Sequence, residues 1–265
     1  MDDRLRSAGR IATIVVIGVL LLLILAEIRV RMNPDSLAVG GMDFATYRAA
    51  TMSWLAGGPF YPVSETSGPF IIDTGAVLYP PPMLILFVPF VFLGPLLWSL
   101  IPAAIMVAVI AYHRPALWGI ALILGCVAFS PEVQTLYWFG TPTIWIAAFV
   151  ALATVRSWPA ALVILKPAVV PFVALAARDR QGWLALILAV LVSLVFLPMW
   201  LEWITVMLNA SGPRANVLYA LGDVPLLAIP LIAWLSGRYP PTWLAPRWPR
   251  PAPVMVEDSM GSQPD

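Results

Sequence analysis

The side chains able to do chemistry in this 265-residue chain are few: 15 Lys and Arg, 14 Asp and Glu, one histidine (His113) and one cysteine (Cys126). A single histidine leaves little from which to build a His metal cluster or a Ser-His-Asp triad, and a single cysteine permits no intrachain disulfide and no cysteine metal site. An active site must therefore draw on a few carboxylates, some arginines and the only lysine, Lys166. Asp43 opens a stretch that runs Met42-Asp43-Phe44-Ala45-Thr46-Tyr47-Arg48 and continues to Gly57-Gly58-Pro59. Read as a helix over Phe44–Ala56, it places Phe44, Tyr47 or Arg48, Thr51 and Leu55 on one stripe, with the glycines and proline as its stop. Asp43 at its start is a helix cap, complementing the dipole, or a catalytic carboxylate, and one position serves both roles. Lys166, followed by Pro167, divides the apolar stretch Ala160–Ala177 into two pieces of about ten residues, each too short to cross a bilayer. A lysine facing lipid at mid-helix costs several kcal/mol, and much less at a hairpin tip that opens to a wet cavity.

The elements that position these groups belong in a membrane. The chain is 61% hydrophobic and 11% charged, whereas soluble domains average about 25% charged residues, which excludes an ordinary soluble enzyme. A net charge of +1 excludes nucleic-acid binding by bulk electrostatics. Ile11–Ile28 is long enough to span and is preceded by Arg4, Arg6 and Arg10, reading as an uncleaved signal anchor. Apolar stretches follow at Met83–Leu93, Leu96–Tyr112, Ala116–Phe129, Thr143–Val155, Ala160–Ala177, Trp183–Leu197 and Val224–Leu235. The positive-inside bias chooses among the possible topologies. With Met83–Leu93 in the interface and Ala160–Ala177 as a hairpin, Arg4, Arg6, Arg10, Arg114, Arg156, Arg178, Arg180, Arg238, Arg247 and Arg250 share the cytoplasmic side. Arg29, Arg31, Arg48 and Arg214 face out; a spanning Met83–Leu93 inverts every later loop and reverses the ratio. The expectation is an all-α integral membrane protein of about six transmembrane helices plus a re-entrant hairpin. It has one polytopic domain over 1–238, an outer loop over 31–94 with juxtamembrane helices, and a Pro-rich cytoplasmic tail over 239–265. Both termini are then cytoplasmic, in a multi-pass protein of the bacterial plasma membrane.

An opening helix with its N-terminus inside, an outer loop that begins with Asp, and a Tyr-Pro-Pro segment on a juxtamembrane helix together resemble the GT-C glycosyltransferases. The closer resemblance is to their family 87, the bacterial polyprenyl-phosphate mannosyltransferases. The shared elements are Asp43 with Tyr47 at helical spacing, Gly58-Pro59-Phe60-Tyr61, Leu78-Tyr79-Pro80-Pro81 and Leu165-Lys166-Pro167, over residues 10–220 or so. The chain departs from the family at Gly140-Thr141-Pro142-Thr143, where Gly-Gln-x-Asn is common, and it is shorter at its C-terminal end. The resemblance implies transfer of a hexose, mannose by analogy, from a polyprenyl-phosphate donor to a glycolipid or glycan acceptor at the outer face, with inversion. Asp43 then serves as general base. Lys166 and Arg48 face the departing phosphate, and Tyr47, Tyr61, Tyr79 and Gly140 line the substrate site. The donor brings its own phosphate and no Asp-x-Asp pair is present, so neither metal nor cofactor is expected.

Each of these residues has a plainer reading. Lys166 is a snorkelling lysine, Arg48 a headgroup contact, and the three tyrosines belong to the interfacial belt with Trp138, Trp145, Trp158, Trp183, Trp200 and Trp203. Glu132 and Asp223 also face outward and are alternative acids or bases. His113, beside Arg114, reads as a loop residue. A non-catalytic GT-C-like lipid-binding or partner subunit is the second reading, and a small lipid carrier or flippase the third. The carrier requires paired intramembrane charges and repeated broken helices.

Overall fold

The structure is a computed structural model that describes residues 2–31, 40–72, 75–212 and 221–238. The Pro-rich tail with Arg247 and Arg250, and the loop residues Asp35, Asp73 and Arg214, lie outside the described residues.

The described chain is almost entirely helical. α1 (Asp2–Arg31) contains an apolar stretch, Ser7–Arg29, whose 23 residues rise about 34 Å, enough for a hydrocarbon core of about 30 Å. It packs on α5 (Leu117–Phe129) and leaves Ile14, Leu22 and Leu25 exposed, as a helix bathed in lipid does. The next helix, α2, spans Met42–Leu55 and starts two residues earlier than expected, because Gly41 at φ 75° turns the chain into it. Its buried stripe is Phe44, Tyr47, Ala50 and Thr51, while Leu55 stays exposed. A short turn, α3 (Val63–Thr66), follows. The two stretches expected as separate helices, Met83–Leu93 and Leu96–Tyr112, join as α4 (Met83–His113), with Gly94 at φ 81°, ψ 172° as a non-helical break between them. That backbone conformation is open only to glycine. The expected division of this segment therefore survives as a kink.

α5 and α6 (Pro131–Phe139) meet at a bend of 69°, and α8 (Arg180–Leu194) and α9 (Leu197–Asn209) at one of 85°. α10 (Val224–Arg238) completes the set. Three described helices are long and apolar enough to cross a membrane, and up to five spans result if each bent pair counts as one. Outside that count stands α7 (Thr143–Val155), whose 13 residues rise only about 20 Å. It is buried on every face against α4, α10 and the first 3-10 helix, so it lies inside the bundle, sheathed by its neighbours. The all-α expectation has one small exception. β1 (Phe70–Ile71) pairs in parallel with β2 (Ala210–Ser211) and ties the segment after α3 to the end of α9.

The stretch around Lys166 folds back on itself. Two 3-10 helices, Trp158–Leu165 and Pro167–Arg178, pack against each other, with Lys166 extended between them at φ −131°. The extended conformation is the one favoured before a proline, and Pro159, Pro167 and Pro171 each withhold an N–H that an α-helix would use. Ala160 and Ala176 meet near the base of the hairpin. There the Ser157 hydroxyl donates to Asp179 Oδ1, which also accepts from Gly182 N at 3.0 Å and caps α8.

This base is expected to be acid-labile. The Ser157 hydroxyl and then the Gly182 N–H hold the Asp179 carboxyl below the usual carboxylate range. A lowered pKa contributes stability above the ordinary value and loses it as pH falls through the lowered one. Asp179→Ala should speed hydrogen exchange in Ala160–Leu165 several-fold at neutral pH, and acidification should bring the wild type toward the variant. Identical exchange in the two proteins would show that the clip holds nothing.

Candidate functional site

α7 links two chemically different ends of the bundle. Near its C-terminus, His113 Nε2 meets Thr154 Oγ1 at 2.6 Å, and the Thr154 hydroxyl donates onward to Ala151 O at 2.7 Å. The hydroxyl has one proton to give, so His113 Nε2 is the donor in its own contact. His113, expected in a loop, thus closes α4 instead. Arg114, Arg156, Arg178 and Arg238 gather around this end, through Gly237 close against His113 and Arg178 donating to Ala153 O. Near the other end, about 17 Å away along 11 residues of helix, stand Thr143 and the polar residues of the segment between α1 and α4.

The centre of that second end is Lys166. Its ammonium donates to Asp223 Oδ2 at 2.5 Å, to Thr143 Oγ1 at 2.7 Å and to Tyr79 OH at 3.4 Å, and lies 5.5 Å from the centre of the Tyr79 ring. Tyr79 OH and Thr143 Oγ1 are themselves 2.8 Å apart. The Lys166 and Asp223 side chains are 12% and 7% exposed, so the pair is largely out of contact with its surroundings. Lys166 is therefore not the solitary ammonium that its singularity in the sequence suggests. Asp223 stands immediately before α10, where a carboxylate complements the positive end of the helix. It was weighed as an acid or base and not as a partner for the lysine; its position directly before an apolar helix, like that of Asp43, is the signal that marks it.

Asp43 lies in the first turn of α2, with Gly41 as the capping residue. Its Oδ2 accepts from the Thr141 hydroxyl at 2.5 Å. Thr141 and Thr143 flank Pro142 on the turn between α6 and α7, so one four-residue turn carries a partner of Asp43 and a partner of Lys166. Those threonines occupy the segment where the chain departs from Gly-Gln-x-Asn, and sequence reasoning passed over them. Gly140 shapes the turn. It ends α6 at φ 67°, its carbonyl accepts from Trp98 Nε1 at 2.7 Å, and a Cβ there would stand 3.2 Å from the Phe44 Cβ. It is placed to position Thr141.

Tyr47 and Tyr61 act on backbone. Tyr47 OH donates to Ala76 O at 3.4 Å and accepts from Leu78 N at 3.1 Å, and Tyr61 OH donates to Tyr79 O at 2.9 Å. The two residues are 4% and 1% exposed. Burial pushes both phenols well above their usual range, so they remain protonated. With Trp203 Nε1 donating to Leu78 O at 2.9 Å, they hold the Ala76–Tyr79 segment and so aim Tyr79 at Lys166. The three tyrosines are one device. Arg48 is separate: exposed, it donates Nε to Val91 O at 3.0 Å, just before the Gly94 kink and away from Lys166. Trp145, expected in the interfacial belt, is instead buried with Trp98, Phe90 and Phe149. Glu132 sits beside Gly222, next in sequence to Asp223.

α3 carries a further buried carboxylate that sequence reasoning did not single out. Both oxygens of Glu65 accept from Val77 N, at 3.1 and 3.3 Å, and its carbonyl accepts from Asn209 Nδ2 at 3.0 Å. Burial raises its pKa, and the Val77 N–H offsets only part of that. A raised carboxyl pKa gives stability that is present below the ordinary value and lost as pH rises through the raised one. Acidification from pH 7 to 5 should therefore stabilise the fold around Glu65 by relieving its buried charge. Thermal melts should show the wild type gaining stability over that interval relative to Glu65→Gln, and parallel pH dependence in the two proteins would refute the assignment.

Behind α2, away from Lys166, an open groove of about 460 Å³ is lined by Thr46, Ala49, Ser53, Pro59, Phe60 and Val77, among others. Among the described residues, no group of three His, Cys, Asp or Glu side chains comes together in a way that could hold a metal ion. What the second end offers chemically is a carboxylate held by a hydroxyl, and an ammonium with hydroxyl neighbours that suits an anion. No protein-family model, curated protein or solved structure matches the chain, and its function must be read from this geometry and the resemblance of its motifs.

Proposed function

We propose that this chain is a membrane-embedded glycosyltransferase that moves a hexose, mannose by resemblance, from a polyprenyl-phosphate donor to a glycolipid or glycan acceptor. The observation that carries the reading is the gathering of Lys166, Thr143 and Tyr79 around one ammonium, on the same turn that holds Asp43 through Thr141. In this scheme Asp43 takes the proton of the acceptor hydroxyl as it attacks the anomeric carbon, in one displacement with inversion. The departing polyprenyl phosphate gains charge and is met by Lys166 and by the hydroxyls of Thr143 and Tyr79. Asp223 holds the ammonium in place until the phosphate replaces it as counter-ion. The membrane arrangement is the one the arginines favour: about six crossings, the Lys166 hairpin entering from the cytoplasmic side, both termini cytoplasmic, and the site at the outer face of the bacterial plasma membrane.

The test incubates membranes containing the protein with a radiolabelled polyprenyl-phosphate hexose and follows label into glycolipid and glycan. Transfer above that of membranes lacking the protein supports the reading. The 2.5 Å pairing of Lys166 with Asp223 favours a second one, a GT-C-like subunit that binds the lipid-linked sugar without catalysis. Binding of the labelled donor to purified protein with no transfer to any acceptor would select it. A cysteine introduced at Glu132, exposed at the same end, that reacts with an impermeant reagent in intact cells, together with protection at position 180, supports the orientation; the reverse pattern overturns it.

A further inference from the structure

The arginine-rich end holds a second arrangement that the transfer chemistry leaves unused. The guanidinium carbon of Arg238 lies 4.7 Å from the centre of the Trp234 ring, and that of Arg178 lies 5.8 Å from the same centre. One indole thus brings together two cations from different elements, α10 and the end of the Lys166 hairpin. Each guanidinium has five N–H donors. Arg178 uses donors on Leu175 O and Ala153 O, and no hydrogen bond from Arg238 is present among the described residues. The nearby carboxylate, Asp179, acts on Arg178 electrostatically but gives its Oδ1 to Ser157 and Gly182. His113 faces Arg238 and adds no negative charge. Both arginines are exposed, as are Leu235 one turn before Arg238 and Trp158 at the hairpin base.

We propose that Arg178 and Arg238, spaced by Trp234, bind the phosphate of an anionic phospholipid headgroup. Two like charges held on one ring repel each other, and an anion between them removes that repulsion while taking up donors that have no acceptor. The planar fork of arginine suits a phosphodiester, and a juxtamembrane position next to exposed Leu235 and Trp158 lets the acyl chains lie along the protein. Lipid is the occupant because the cations stand where apolar, outward-facing helix surface ends. The assignment does not depend on the transferase reading.

Native mass spectrometry of the purified full chain tests it, with phosphatidylglycerol and phosphatidylcholine as probes. The wild type should retain phosphatidylglycerol in preference to phosphatidylcholine. Arg178→Gln/Arg238→Gln should weaken that retention roughly 30-fold, from the usual gain per basic residue at an anionic surface. Arg180→Gln, at the same end but off the indole, removes one unspecific surface charge and should cost no more than about fivefold. Arg178→Lys/Arg238→Lys keeps the charge and loses the fork, and should fall between the two, which keeps the test decisive if the glutamine pair misfolds. Equal retention of the two lipids overturns the proposal, as does a loss in Arg180→Gln matching the glutamine pair, or wild-type retention in the lysine pair. Displacement by millimolar inorganic phosphate would make this an ion site, and lipid retention appearing only after removal of residues 239–265 would give the surface to the tail. Either result also overturns it.

Discussion

Asp43→Asn is expected to lower glycosyl transfer by two to four orders of magnitude, the usual worth of a positioned general base, with little change in stability. The amide has the shape of the carboxylate and its oxygen still accepts from the Thr141 hydroxyl, which now stands 2.5 Å from Asp43 Oδ2. Gly41, not Asp43, is the residue that caps α2, so the helix start should survive. What the substitution removes is the ability to take a proton. Donor binding, measured on purified protein with labelled polyprenyl-phosphate sugar, should therefore stay near wild type while turnover collapses. Thr141→Val provides the contrast. The carboxylate remains but loses a hydrogen bond of the kind worth about 1.5–3 kcal/mol when one partner is charged, and turnover should fall by roughly 10- to 100-fold. Full activity in Asp43→Asn would remove this residue from the mechanism and pass the proton to Glu132 or Asp223.

The parts of this arrangement that were legible in the sequence are those encoded locally. Lys166-Pro167 in the middle of an apolar stretch specifies a hairpin, because neither half can cross alone and a proline must follow an extended residue. Gly94 separates two helices for a reason confined to its own backbone. Asp43 and Tyr47 share a face of α2 because four residues make about one turn. What escaped is pairing at a distance. Nothing near Lys166 announces Asp223, 57 residues later, and nothing near Tyr61 says that its hydroxyl will be spent on the carbonyl of Tyr79. A phenol in an outer loop looks the same in the sequence whether it faces lipid, ligand or backbone. The hydroxyls of Tyr47 and Tyr61 are spent on backbone, and Thr143, a hydroxyl at the start of an apolar helix, carries no local sign of its contact with Lys166. The number of crossings is hard to read from length for a related reason: length predicts crossing for a helix that meets lipid itself, and α7 meets only protein.

The Lys166–Asp223 pair separates what holds the fold from what performs the reaction. Both side chains are largely buried, so removing one partner strands a charge, a loss that ordinarily costs about 3–5 kcal/mol. Lys166→Met should show it. Asp223 loses its counter-ion, Thr143 and Tyr79 lose a donor, and the melting temperature should drop by roughly 6–15 °C, at the few degrees per kcal/mol expected for a domain of this size. Removing both charges, in Lys166→Met/Asp223→Leu, should restore most of that loss, since a buried ion pair and an apolar pair of similar volume are often nearly equal in stability. Transfer should not return with it. The double variant has a packed site and no cation for the leaving phosphate, so turnover should remain at the level of Lys166→Met or below. Asp223→Asn completes the cycle: an amide still accepts from the ammonium, stability should fall less than in Lys166→Met, and donor affinity should rise if Asp223 competes with the donor phosphate for Lys166. Two results would sink this account. Wild-type stability in Lys166→Met would mean that the charges are not held as a buried pair, and recovery of transfer in the charge-free double variant would mean that the ammonium serves only the fold.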